Sequence, residues 1–239
     1  MTLDPVPRSL VAVDIEGYSG RDNLGHLELR EGLRRVCDEA FRRVGVSPDA
    51  RQDQGDAFLI LIRPEVTKAR LVDDLVRELL IALRMYNRHR TPQARMRLRV
   101  AMHAGEVHLD GTGFGGASIV AVMRLVEADG LRNALKTAPE DLAVIVSELL
   151  HRDVVSQRYR GIDPAQYSEV QVSRKEFSQR AWIRVPGLPP GPQAAAEKPP
   201  GTPVGAVHFA GPATFRGPAS IGGHAAGRDV NIQPRRQDA

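Results

Sequence analysis

Apolar and polar positions follow two periods along this chain, and the switches between them outline its elements. The run SLVAVD (9–14) is short, valine-rich and apolar, so it predicts a buried strand that ends in an acid. From Leu33 the apolar positions fall at Leu33, Val36, Cys37, Ala40, Phe41 and Val44, which is helical spacing, and Gly45 suits the stop. RQDQGDAFLILIRP (51–64) predicts two strand-like pieces about a Gln-Gly-Asp turn. A second helix places Val72, Leu75, Val76, Leu79, Leu80 and Leu83 on one face. RLRVAMHAGEVHL (97–109) reads as a long strand broken by glycine, residues 117–138 as a third helix, and LAVIVS (142–147) as a buried strand. QYSEVQVSRKEFSQRAWIRV (166–185) alternates as an antiparallel pair does. The order β-α-β-β-α-β-α-β-β-β predicts an α+β fold, a mixed sheet with helices covering one face.

The pattern stops at Val185, which makes residues 1–185 the expected domain. PGLPPGPQAAAEKPPGTP (186–203) is too rich in proline for a packed core and reads as a semi-extended linker. In the tail, 204–239, glycines recur at 205, 211, 217 and 223, a period of six. Val207/Phe209, Ala213/Phe215 and Ala219/Ile221 keep a strand-like alternation inside the units. Units this short bury no core alone. Two readings stay open: a disordered tail, or a β-forming segment (204–232) that orders by pairing with itself or with a partner's sheet edge.

Composition narrows the classes. The 42% hydrophobic content of these 239 residues allows a real core. One cysteine, Cys37, excludes an intrachain disulfide framework and suits a reducing compartment. There is no basic leader with a long apolar run behind it, and no window reaches the ~18 apolar residues a membrane span needs. The expectation is a cytoplasmic protein without a membrane partner. Net charge is +4, only four of the 33 basic residues are lysine, and no basic stripe interleaves with aromatics. Small phosphorylated ligands are favoured over nucleic acid.

Two acids carry the candidate chemistry. Asp14 ends a buried strand before a glycine turn, and ligand sites of α/β sheets sit at such edges. Asp56 follows Gly55 on a tight hairpin that can lie beside that strand. Singly, each reads as a turn aspartate. Together they form a pair that repels unless a cation sits between them, and hard oxygens of this kind suit Mg²⁺ or Mn²⁺ with phosphate oxygens.

Three segments taken in order resemble the class III nucleotidyl cyclases, the adenylate and guanylate cyclase homology domain. The family's F-x-D-I-x-G-F-S is matched by Val11 to Ser19, its hairpin G-D by Gly55-Asp56, and its R-x-G-I-H-x-G-x-V by Arg99 to Val107. Its G-x-x-V-N-x-A-x-R-L aligns with Gly116 to Leu125. The resemblance spans residues 8 to 185 and implies a ferredoxin-like core. It also implies a nucleoside triphosphate as substrate, converted to a 3′,5′-cyclic nucleotide, with two divalent metals (Mg²⁺ or Mn²⁺) per site. Asp14, Asp56 and the Ile15 carbonyl would hold the metals. Gly17 and Lys175 would face the nucleotide, and Arg124 would stabilise charge on the α-phosphate across a head-to-tail homodimer. His103, in an apolar strand, reads as structural.

The match departs from the family at the nucleotide-positioning residues. Val120 stands where the family's ribose-holding asparagine is expected, and losing one such contact costs on the order of 10²–10³ in rate. Gln52 (or Arg51, if the hairpin shifts by one) takes the base-reading lysine's place, and Gly113 lies near the adenine-selecting aspartate's. The alternative is therefore a catalytically impaired cyclase fold, a nucleotide-binding regulatory or self-assembling module.

Overall fold

Three strands without a polar interruption set the architecture. β1 (Val6–Ile15), β3 (Ala57–Ile62) and β6 (Leu142–Ser147) bury nearly every residue of their central runs. A strand apolar on both faces needs cover on both faces. In β1, Val11, Val13 and Ile15 enter one core cluster while Leu10 and Ala12 enter another. The structure, a computed structural model, describes residues 4–110, 113–174 and 176–189. The linker beyond Pro189, the glycine-periodic tail and Lys175 lie outside the described residues.

With β2 (Pro48–Asp53), β4 (Leu98–Asp110), β7 (Ser168–Arg174) and β8 (Phe177–Arg184), the strands form one sheet in the order β2-β3-β1-β4-β6-β8-β7. A short β5 (Gly113–Gly115) pairs with the end of β4. β4 and β6 run parallel and all other pairs are antiparallel. The mixed α+β sheet thus follows the expectation, and its β2-β3-β1-β4 part has the β-α-β-β-α-β connectivity of a ferredoxin-like core.

Helices do not gather on one face. α1 (Asn23–Val44) and α3 (Val76–Asn87) pack on the first cluster, α3 continuing from α2 (Lys68–Arg70) through a π-helical turn at Leu71–Leu75. α4 (Ala117–Val126) and α5 (Asp129–Lys136) cover the opposite face. A parallel β4–β6 pair needs a crossover, and α4 and α5 supply it.

Three elements differ from their sequence patterns. α1 begins ten residues before Leu33, because Asp22 caps it by accepting from the Gly25 N–H at 2.8 Å. Its first turns carry exposed Leu24 and Leu27, so apolar spacing did not mark them. Its stop at Gly45, with φ 68°, is the expected one. β4 runs unbroken through Gly105, whose missing side chain serves packing: a Cβ there would sit 2.4 Å from Ser118 Oγ on α4. The helix expected over 117–138 is two helices. Ala128 leaves helical geometry (ψ 135°), and the turn brings Ala128, Leu131 and Leu135 into the second core cluster.

Candidate active site

β1 carries Asp14 to the sheet's edge in a fixed register, opposite Ala57 of β3 on one side and Arg99 of β4 on the other. The Asp56 carbonyl accepts from the Ile15 N–H at 3.1 Å, which ties the β2–β3 turn to the end of β1. Gly55, at φ 88°, makes that turn, and Asp53 Oδ1 accepts from its N–H at 2.9 Å. Asp14 and Asp56 consequently line one cavity of about 370 Å³, together with Ile15 and Gly17.

The electrostatics of the cavity centre on Asp14. Burial pushes its carboxyl up to about 6; the Arg99 guanidinium opposes that rise, and the charge of Asp56 adds to it. Arg99 donates from Nε to Asp14 Oδ2 at 2.7 Å and from Nη2 to the same oxygen. Both bonds fall on Oδ2, which leaves Oδ1 outside the pair. Oxygen donors of this hardness, on a buried acid beside a second acid, fit a divalent cation. Among the described residues no group of three or more His, Cys, Asp or Glu is placed to hold one.

The other sequence-derived positions lie elsewhere. Arg124, half-buried on α4, donates to Glu127 Oε2 at 3.4 Å; Glu127 lines the cavity and Arg124 does not. Val120, one turn earlier, is 53% exposed. Gln52 is outside the cavity too, with its Nε2 2.7 Å from where a Gly113 Cβ would stand. The two expected base-reading positions therefore face each other. Arg51 is committed to α1, donating to Asp38 Oδ1 at 2.7 Å and lying over the Phe58 ring at 4.9 Å. Burial pushes the His103 imidazole down to about 4, so it is neutral at pH 7, and it lines a different cavity.

Sequence reasoning did not single out several lining residues, among them Gln54, Glu127, Arg132, and Arg99 as the partner of Asp14. Arg99 left a signal as part of a quoted motif, and Gln54 as part of the Gln-Gly-Asp turn. Glu127 and Arg132 depend on where the α4–α5 break points.

No family model matches the chain, and no curated protein is significantly similar to it. Solved structures are. An adenylate/guanylate cyclase/hydrolase from Silicibacter pomeroyi aligns at 18% identity and a TM-score of 0.56, over 77% of this chain and 98% of that one. The fold is that of a class III nucleotidyl cyclase domain. The guanylyl cyclase Cya2 aligns at 17% identity and a TM-score of 0.53, over 77% and 93% of the two chains. The catalytic core of a rhodopsin-guanylyl cyclase with converted specificity, in complex with ATPαS, aligns at 15% and 0.50, over 76% and 96%. In this cyclase fold no helix among the described residues is long and apolar enough to cross a membrane.

Proposed function

We propose that the protein is a nucleotidyl cyclase, converting a nucleoside triphosphate to a 3′,5′-cyclic nucleotide at sites shared by two copies of the chain. The observation that carries this reading is the meeting of Asp14 and Asp56 in one cavity, with Gln52, Val120 and Arg124 outside it. A single copy offers the acids without the nucleotide-positioning half, which a second copy arranged head to tail supplies.

Asp14, Asp56 and the Ile15 carbonyl would hold Mg²⁺ or Mn²⁺, the remaining coordination falling to water and phosphate oxygens. Metal held there would supply Lewis-acid chemistry, making the ribose 3′-hydroxyl more acidic and offsetting charge on the leaving pyrophosphate. Gly17, in left-handed geometry at φ 68°, lets the chain turn beside the nucleotide without a side chain in the way. Arg124 of the second copy meets the charge that grows on the α-phosphate, where a guanidinium can donate two bonds. Gln52 of that copy, facing Gly113, meets the base edge through an amide that both donates and accepts. Lys175, outside the described residues, is proposed to contact the triphosphate.

One observation favours a second reading, a cyclase fold that binds metal-nucleotide without turning it over. Val120 is exposed on the face that would meet the ribose and has no polar atom to offer. Incubation with each of the four triphosphates plus Mn²⁺, with mass detection of products, separates the two. Cyclic product that disappears in Asp14→Ala supports the cyclase. Triphosphate-dependent thermal stabilisation without product supports the binding module, and neither signal rejects both.

A further inference from the structure

Two arginines line the cavity of Asp14 and Asp56, and they are committed differently. Arg99 is spent on Asp14 Oδ2. Among the described residues Arg132 has one ion contact, 4.0 Å to an Asp129 carboxylate that is 76% exposed. Its Nε is shielded from solvent and meets no hydrogen-bond partner among the described residues.

The backbone under Arg132 is held. Leu131 and Leu135 anchor α5 in the second core cluster. At the helix start, Arg174 Nη2 donates to Asp129 Oδ1 at 2.9 Å; at its end, Arg97 Nη2 donates to the Leu135 carbonyl. An anchored helix thus presents an uncommitted guanidinium at the cavity wall. A guanidinium fork matches phosphate oxygens bidentately, and a triphosphate is the most anionic part of the ligand proposed for this cavity.

We propose that Arg132 holds the terminal phosphates of the bound triphosphate, and that it comes from the same chain as Asp14 and Asp56. The inference rests on the reading of this cavity as a metal–triphosphate site. It adds a phosphate contact in cis to the Arg124 expected from the second copy.

Inorganic tripolyphosphate is the probe, because it needs no base recognition. Its binding to the full-length protein in the presence of Mn²⁺, and the binding of Mn²⁺ alone, are measured by calorimetry for wild type, Arg132→Ala, Arg132→Lys and Asp14→Asn. Arg132→Ala is expected to weaken tripolyphosphate about tenfold, the worth of a charge-assisted contact at a partly exposed site. Mn²⁺ alone is expected to bind as tightly or more tightly, because a cation beside two carboxylates has been removed. Arg132→Lys recovers part of the loss. Unchanged tripolyphosphate affinity in Arg132→Ala overturns the assignment, as does a parallel loss of both ligands, which marks a structural role. A wild type that binds no Mn²⁺–tripolyphosphate, or an Asp14→Asn variant that binds it equally well, overturns instead the reading of the cavity.

Discussion

Asp14 and Arg99 face each other across β1 and β4, and both guanidinium bonds of Arg99 end on the same carboxylate oxygen. Their side chains are 13% and 12% exposed, so each is the other's substitute for water. Removing one partner of such a pair strands a charge, whereas removing both does not. Arg99→Ala should cost about 3 kcal/mol. The Asp14→Asn/Arg99→Ala double variant should cost less than the sum of the singles by about 1–3 kcal/mol. Chemical denaturation of the four proteins measures the cycle; additive single costs would refute the coupling.

Gly105 permits the close approach of α4 to β4. Gly105→Ala should cost about 1–3 kcal/mol, the range for overpacking a filled interior. The atom in the way is Ser118 Oγ, at 2.4 Å from the new Cβ. Gly105→Ala/Ser118→Ala should therefore recover most of the lost melting temperature. A double variant no more stable than Gly105→Ala would place the strain elsewhere.

His103 and Asp14 pull stability in opposite directions over one pH window. His103 is pushed from 6.5 down to about 4 by burial, so the stability held above pH 6.5 is lost as pH falls towards 4. Asp14 is raised from 3.8 to about 6, so its contribution is fullest below 3.8 and is lost as pH rises through 6. Wild type should show a shallow profile between these limits. His103→Gln should gain stability at pH 5 relative to pH 7, by about 1–2 kcal/mol, and Asp14→Asn should lose it. Thermal melts across pH 4–7 read both slopes; parallel profiles in the three proteins would refute the assignment.

The proposal that sites are shared between two copies is tested by complementation. Asp14→Ala and Arg124→Ala should each be inactive as homodimers. Mixed, they should recover up to about a quarter of wild-type turnover, since half the dimers carry one intact site of two. Recovery tracked by cyclic-product formation supports Arg124 acting across the interface. Two variants that complement no better together than apart would place Arg124 in the site of its own chain.

Much of the fold was legible because local patterns carry it. The run Leu142–Ser147 is a strand to the residue, since six consecutive apolar or small side chains have no other economical burial. α1 stops at Gly45 because a residue at φ 68° ends a helix at little cost only when it lacks a Cβ. Asp14 and Asp56 were identifiable as strand-end and turn acids for the same reason: chain chemistry within a few residues specifies both.

Whether those acids meet is a matter of register. The β1–β3 pairing sets Asp14 opposite Ala57 and so beside Asp56, and pairing partners lie far apart in the chain. The same holds for Arg99, set against Asp14 by β4. The division of helices between two faces was implicit in strands apolar on both sides, but only packing assigned α4 and α5 to the second. By itself, the sequence determined most strands and the core-facing turns of the helices, the acids and the likeness to a cyclase domain, because these follow from neighbours along the chain. Tertiary structure alone decided the Asp14–Arg99 pair, the break at Ala128 and the place of Arg132 at the cavity wall, because each depends on contacts whose partners no local pattern names.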